Sequence, residues 1–364
     1  MKIGVLGGGQ LGRMMALAGY PLGMRLRFFD RTSESPAGQV AECVAGDFND
    51  SEALARFAEG LDLVTYEFEN VPASAARFLS QRVSRFFPPP RALEIAQDRL
   101  IHKQFFAGLG IPTASFHPVT SREELEASLK STGFPALLKT RRWGYDGKGQ
   151  FLLQGMPDRD EAWKAMGNAP LILEGFVRFE RELSLVSVRS STGQTTFYPL
   201  TENHHRQGIL RLSLAPAPEV PPGIQQLAED YAQRVFRELS YAGVLTIEFF
   251  YAQGKLLANE MATRVHNSGH WTIEGAQTSQ FENHLRAIAG LPLGSTTPRG
   301  YSAMVNFIGC VPDPGAVLAI PGAHLHLYGK SPRPGRKLGH ATLCSESREG
   351  LAASLDRLQK LANC

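Results

Sequence analysis

The 364-residue chain reads as a mixed α/β protein of more than one domain, and three observations carry that reading. It opens on an apolar strand, a glycine loop and a helix; its middle is rich in strands around a cationic glycine loop; and two later strands meet in a hairpin with a glutamate on each. Hydrophobic residues make up 43% and charged residues 20%, the proportions of a globular protein able to bury a core without staples. Net charge is +3 with the basic residues scattered, which excludes the footprint of a nucleic-acid binder and favours small-molecule partners. Cys43, Cys310, Cys344 and Cys364 lie far apart without a C-x-x-C pair, so neither a zinc knuckle nor a disulfide framework is expected and a reducing cytoplasm fits. No signal peptide and no apolar run long enough to span a membrane is expected.

Taken in order, KIGVL is a short strand, QLGRMMALAG carries helix-spaced apolar residues up to a Pro-Gly break, and RLRFFD returns as a strand. DLVTYEFEN is another strand ending at Val71-Pro72, and three consecutive prolines in FFPPPRALEI stiffen a crossing that marks a boundary near residues 90–100. FPALLK and QFLLQ flank the loop RRWGYDGKGQ as strands, and LILEGFV and RELSLVSVRS continue the sheet, with charged residues alternating outward. The spacing of Ile224, Leu227, Tyr231, Val235 and Leu239 predicts a helix over 224–239, followed by strands VLTIEFFY and KLLANEM. From about Tyr301 come short strands, a Pro- and Gly-rich turn and a closing helix.

Four stretches could carry chemistry. Residues 7–12, GGGQLG, fit G-x-G-x-x-G between strand and helix, with Asp30 where a ribose-binding acid would stand. The same pattern serves a dinucleotide, another phosphorylated ligand or a tight packing turn. Lys139, Lys148 and the glycines of 141–150 could close over a triphosphate, or form a solvated hairpin tip. In VLTIEFFYAQGKLLANE, a turn centred on Gly254 puts Glu248 opposite Glu260, a pair suited to a hard cation with Asn259 beside it; a register one residue away would separate them. Arg264, His266, Asn267, Ser268 and His270 then form a donor-rich loop, His324 and His326 are read as structural, and Lys330, Arg336 and Lys337 gather in a turn that is either a phosphate clamp or a solvated basic turn.

In this order, with GGGQLGRMM, YEFENVP, DRLIHK, RRWGYDGKGQ, NHHRQGILR, NEMATRVHNSGHWT and RPGRKLGH, the chain resembles the 5-(carboxyamino)imidazole ribonucleotide synthases, ATP-grasp ligases of purine biosynthesis. The resemblance spans nearly the whole chain and departs from the family pattern at Thr263, where proline is expected. It implies an ATP-grasp fold over 99–300, with a lid at about 115–182, a Rossmann-like pre-ATP-grasp domain over 1–98 and a small β-rich C-terminal domain over 301–364. It also implies that the first glycine loop serves the substrate nucleotide rather than a dinucleotide. The implied reaction carboxylates 5-aminoimidazole ribonucleotide with bicarbonate at the expense of ATP, through carboxyphosphate, in a cytoplasmic homodimer that uses one or two magnesium ions.

Carried over by position, the resemblance places ATP on Arg99, Lys139, Gly144, Tyr145, Asp146, Gly147, Lys148, Gly149, Gln150, Glu174, Val177, Glu182, His205, Asn259 and Glu260. Magnesium falls on Glu248 and Glu260. The ribonucleotide falls on Gln10, Leu11, Glu67, Asn267, Lys330, Arg336 and Lys337, with Tyr145 and Asp146. Tyr145, Asp146, Arg264, His266, Asn267 and Ser268 are the expected catalytic set, the last four beside bicarbonate. An NAD-linked oxidoreductase resting on residues 7–12 and Asp30 leaves the acidic hairpin unexplained, and a formate-dependent ligase does not account for the loop R-V-H-N-S-G-H.

Overall fold

The structure, a computed structural model, describes residues 1–144 and 148–362, and among these residues three sheets form around one cleft. Strands β1 (Lys2–Leu6), β2 (Arg25–Asp30), β3 (Glu42–Ala45) and β4 (Leu63–Tyr66) make a parallel sheet in the order β3-β2-β1-β4. Ile3, Val5, Leu6, Leu63 and Val64 are fully buried, as apolar runs in a sheet covered on both faces must be. The covers are α1 (Gln10–Gly19), α2 (Ser51–Ala58) and α3 (Ala73–Ser80); a Cβ at Gly12 would lie 2.7 Å from the Phe28 ring, so glycine lets α1 settle onto β2. Next come α4 (Pro90–Ala96), with proline at its first position, and α5 (Arg99–Gly108), capped by Asp98, whose carboxylate accepts the Leu100 and Ile101 N–H groups.

The second sheet is antiparallel: β5 (Phe116–Val119), β6 (Ala136–Thr140), β7 (Gln150–Leu153) and β8 (Leu171–Gly175), in the order β5-β8-β6-β7. Its apolar face packs on α6 (Arg122–Thr132) and α7 (Asp158–Met166) through Leu125, Leu129, Leu138, Ala162 and Leu173. Alternation along β6 sends Ala136 and Leu138 into this core while Leu137 and Lys139 line the cleft.

The third sheet has nine strands. These are β9 (Arg181–Arg189), β10 (Thr195–Phe197), β11 (Thr201–Arg206), β12 (Ile209–Ala215), β13 (Gly243–Ala252), β14 (Lys255–Ala262), β15 (Tyr301–Ile308), β16 (Ala323–Leu327) and β17 (Lys337–Ser345). They run β14-β13-β9-β11-β12-β15-β17-β16, with β10 also beside β9. Helix α8 (Ile224–Glu238) lies where the periodicity places it and buries Ile224, Tyr231 and Val235. The remaining helices are α9 (Thr272–Gly275), α10 (Gln280–Ala289), α11 (Pro314–Leu318) and α12 (Arg348–Leu361).

The strands after residue 301 continue the central sheet through pairing of β15 with β12. Two expectations change. Residues 183–188 of β9 are buried on both faces, because α8 covers Leu183 and Leu185 on one side and α10 covers Val186 and Val188 on the other; the expected outward alternation fails and serines occupy inner positions. Cys310 is disulfide-bonded, while Cys43 and Cys344 carry free thiols. No helix among the described residues is long and apolar enough to cross a membrane.

Candidate active site

The first glycine loop is already occupied by the protein's own carboxylates. Gly7 takes φ 97° after β1, and the first-turn N–H groups of α1 have no partner within the helix. Gly9 and Gly12 donate to the two oxygens of Glu67 at 2.9 and 3.1 Å, and Gly8 donates to Asp30 Oδ2 at 2.6 Å. A Cβ on Gly9 would stand 2.6 Å from Glu67. A pyrophosphate would have to displace two like-charged groups from their donors, so the dinucleotide reading fails and Asp30 is a loop brace. Burial pushes the Glu67 carboxyl above its usual range while the loop N–H groups pull it back.

Beside this loop, a cleft of about 590 Å³ runs between the sheets, a volume suited to a nucleotide. One wall is the acidic hairpin. Gln253 and Gly254 form a two-residue turn with φ of 51° and 73°, and Ala252 pairs with Lys255. Continued regularly, that register would place Glu248 opposite Asn259. A bulge between Phe249 and Glu248 absorbs Asn259 as an extra residue and restores the pairing of Glu248 with Glu260. Glu248, Asn259 and Glu260 all line the cleft. Enclosure opposes ionisation of Glu248, but the hydrogen bond from His266 Nε2 at 3.1 Å and the charges of His205 and Lys337 hold it at about 2. Enclosure and the Glu248 charge push Glu260 above the usual range, although its side chain opens to the cleft.

The facing wall is cationic. Lys139 Nζ donates to Glu174 Oε2 at 3.0 Å, and the buried Lys103 stands 3.5 Å from the same oxygen. Burial works against the Glu174 charge, yet Lys139 and Lys103 hold it at about 2. Glu174 is therefore the buried counter-ion behind Lys139 and does not line the cleft. Arg99 donates to the Thr140 and Gly144 carbonyls at 2.7 and 3.0 Å, gripping both ends of the segment that leads into the second glycine loop. Asp98 takes Arg141 in two bonds of 3.0 and 2.8 Å and Arg142 at 3.2 Å. Gln150 lines the cleft and Gly149 takes φ 69°, while Lys148 is exposed. Tyr145, Asp146 and Gly147 lie outside the described residues.

At the outer end Glu182 Oε2 lies 2.5 Å from His205 Nδ1, and both line the cleft. Burial lowers the His205 pKa, but Glu182 and Glu248 outweigh it and raise it. Phe179 and Phe250 stack there at 4.7 Å and 9°, an aromatic wall for a planar base. Val177 is half-buried outside the lining.

The donor loop after β14 splits into two groups. Arg264, His266 and Asn267 line the cleft, and both amide atoms of Asn267 are buried without a partner, which leaves its donor and acceptor capacity unused. Arg264 is held by Glu69 Oε2 at 3.0 Å. Ser268 is fully buried behind the cleft, bonded to Ser184 and His266. Thr263 accepts the hydroxyl of the buried Tyr66 at 2.9 Å. Lys330 donates to Gln10 Oε1, and burial lowers its pKa to about 8. Gln10, Leu11 and Lys337 line the cleft; Arg336 lies just outside, donating to the Ser331 carbonyl at 2.9 Å. His326 pairs with Glu274 and stacks on His340 away from the cleft, as a structural histidine does.

Sequence reading missed Lys103, Glu69, Phe179 and Phe250. Lys103 was detectable: it follows Arg99 by four residues and shares its helix face. Glu69 carried no local signal, since its partner Arg264 is 195 residues away.

Family models match three consecutive stretches: a ribonucleotide synthetase preATP-grasp domain over residues 1–97, an ATP-grasp domain over 104–281, and a phosphoribosylaminoimidazole carboxylase C-terminal domain over 302–354. An N5-carboxyaminoimidazole ribonucleotide synthase from Pseudomonas aeruginosa is 53% identical over 361 residues, covering 99% of each chain. A crystal structure of N5-carboxyaminoimidazole ribonucleotide synthetase from Thermus thermophilus superposes with a TM-score of 0.95 at 61% identity, covering 99% of this chain and 98% of that one. The Aspergillus clavatus synthase, solved with ADP and 5-aminoimidazole ribonucleotide, superposes at 0.93 with 33% identity, covering 100% and 98%. With a cationic wall, an acidic hairpin and a self-filled glycine loop in one ATP-grasp frame, the chain belongs to the N5-carboxyaminoimidazole ribonucleotide synthases, ATP-dependent ligases of purine biosynthesis.

Proposed function

We propose that the cleft uses ATP to activate bicarbonate as carboxyphosphate and transfers the carboxyl group to the exocyclic amine of 5-aminoimidazole ribonucleotide. The observation that carries this reading is the opposition of Glu248, Glu260 and Asn259 to Lys139 and Arg99 across one cleft, with the unpartnered amide of Asn267 beside them. Among the described residues no three His, Cys, Asp or Glu side chains gather as a closed metal site. Two carboxylates and an amide oxygen still fit magnesium, which takes its other ligands from phosphate and water. Glu248, Glu260 and Asn259 would hold it. Bound there, it would neutralise charge on the phosphates.

The other roles follow from chemistry. Lys139 and Arg99 balance charge that develops on the transferred phosphoryl group, with Glu174 fixing the Lys139 ammonium. Phe179 and Phe250 receive the adenine, and Glu182 accepts from the ribose hydroxyls. Arg264, His266 and Asn267 orient bicarbonate, while Gln10, Lys330, Arg336 and Lys337 hold the ribonucleotide, whose phosphate suits the cations. Carboxyphosphate is lost to water, so residues 141–150 are assigned as the segment that closes over it. We place the enzyme in the cytoplasm as a homodimer. The test is phosphate release from ATP with magnesium and bicarbonate, with and without the ribonucleotide. Release that depends on the ribonucleotide is expected; folded, ATP-binding protein with no such release would require a different acceptor.

A further inference from the structure

Behind the donor loop, a chain of polar side chains runs through the interior of the central sheet. Ser213 on β12 donates to Asn203 Oδ1 at 2.8 Å, Asn203 Nδ2 donates to Ser184 Oγ on β9 at 2.9 Å, and Ser184 donates to Ser268 Oγ at 2.8 Å. Ser268 Oγ lies 2.9 Å from His266 Nδ1, and His266 Nε2 lies 3.1 Å from Glu248 Oε1. Ser184, Ser213 and Ser268 are fully buried and Asn203 is 5% exposed. Strand pairing sets these distances, because Asn203 is directly opposite Ser213 and Thr201 opposite Ser184.

One bond fixes the direction of every other. The Ser268 backbone N–H points at His266 Nδ1 at 3.3 Å, and an N–H can only donate, so Nδ1 is the unprotonated nitrogen. The proton between Ser268 Oγ and Nδ1 must then come from the hydroxyl. Ser268 is left to accept from Ser184, which accepts from the Asn203 amide, whose oxygen takes the Ser213 hydroxyl. Each hydroxyl has one orientation. The backbone of His266 is clamped separately by Gln280, which accepts its N–H at 2.9 Å and donates to its carbonyl at 2.6 Å. What the chain adds is the direction of the Ser268 hydroxyl, whose proton it turns toward Nδ1.

We propose that Ser184, Asn203 and Ser213 are positioning residues that commit the Ser268 hydroxyl proton to His266 Nδ1, reinforcing the 3.3 Å backbone bond that sets the Nε2-protonated form, so that His266 donates into the cleft and holds Glu248. Three buried polar groups cost stability unless all are satisfied, and here the series is satisfied end to end and terminates on the two groups nearest the chemistry. Surroundings of this kind usually fix tautomer and ring orientation for residues beside a metal. The inference rests on the assignment of His266 and Glu248 to the reacting cleft.

The test compares Ser184→Ala with Ser184→Thr, which keeps the hydroxyl, and with the gentler Ser213→Ala at the far end. The tautomer is read in ¹⁵N-histidine spectra, with the His266 signal assigned by its loss in His266→Asn. Ser184→Ala should free the Ser268 hydroxyl to turn and accept from Nδ1, admit the Nδ1-protonated tautomer of His266 beside the wild-type form, and lower kcat about 10- to 100-fold, with KM for ATP within about twofold of wild type. Ser213→Ala should shift both in the same direction by less, and Ser184→Thr should restore both. Unchanged His266 signals in Ser184→Ala and Ser213→Ala would overturn the proposal by separating the chain from the ring. A shifted tautomer with unaltered kcat would overturn it by removing His266 from the reaction, and would discredit the bicarbonate assignment as well.

Discussion

The two facing glutamates of the hairpin are held in unequal states: hydrogen bonding from His266 secures the charge on Glu248, while that charge and the enclosing walls resist ionisation of Glu260. A divalent cation held there would relieve this by giving both carboxylates a common partner. Glu260→Gln keeps shape and removes the charge, so magnesium-dependent turnover should fall by more than the roughly 100-fold that loss of an indirect metal partner costs, with the thermal unfolding curve little changed. Wild-type turnover at saturating magnesium would count against the site. Lys330 gives a second residue-level prediction. Burial lowers its pKa to about 8, and a bound phosphate would favour its charged form again. KM for the ribonucleotide should therefore rise as pH passes upward through about 8. Lys330→Ala should raise that KM by ten- to a hundredfold, about 1.5–3 kcal/mol for a charged hydrogen bond, without that pH dependence and with KM for ATP unaffected.

Among the elements, the start of α5 links helix stability to the foot of the second glycine loop. Asp98 caps the helix and also holds Arg141 and Arg142 at the foot of the second glycine loop. Asn is as good a cap as Asp but cannot pair with two guanidinium groups. Asp98→Asn and Asp98→Ala should both raise KM for ATP, while urea unfolding should show Asp98→Ala less stable than Asp98→Asn by about 1 kcal/mol, the worth of a cap. Equal stability would dissociate the cap from the fold. The hairpin shows what sequence could and could not supply at this scale. Symmetry about Gly254 gave the right pair of glutamates, but the turn is a tight Gln253-Gly254 turn one step out of that register, and the bulge at Asn259 restores the pairing. Bulges carry no reliable signature in one sequence. The glycine loop shows the converse. G-x-G-x-x-G correctly announced strand, tight turn and helix, yet its ligand was decided by Glu67, 55 residues beyond Gly12. The βαβ opening, the helix at 224–239 and the donor loop were legible because their signals are local. The grip of Arg99 on the segment before the second glycine loop could not be read from spacing, since Arg99 reaches Gly144 across 45 residues.

On the scale of the whole molecule, the parallel sheet and the central sheet are joined by buried polar bonds as well as by packing, and His284 on α10 is the clearest of them. Its Nδ1 accepts the Val244 N–H at 3.1 Å, so Nε2 carries the proton and donates to Thr65 on β4 at 3.0 Å. Tyr66 reaches Thr263 from the same strand, placing one join directly beside the donor loop. Burial lowers the His284 pKa to about 4, against an ordinary value of 6.5. A histidine whose folded pKa is depressed contributes stability that is fully present above pH 6.5 and is lost as pH falls through about 4, an amount of about 3 kcal/mol. His284→Leu leaves the Val244 N–H and the Thr65 hydroxyl buried without partners, and should cost about 2–5 kcal/mol near pH 7. That deficit should narrow toward pH 4, where the wild type must protonate a ring the variant lacks. Unfolding followed by fluorescence and far-ultraviolet circular dichroism at both pH values measures the deficit. It also shows whether the sheets still melt together once this join is gone. A deficit constant across the range would mean that His284 contributes by filling space, and that the two halves of the cleft are held in register by packing and by Tyr66 instead.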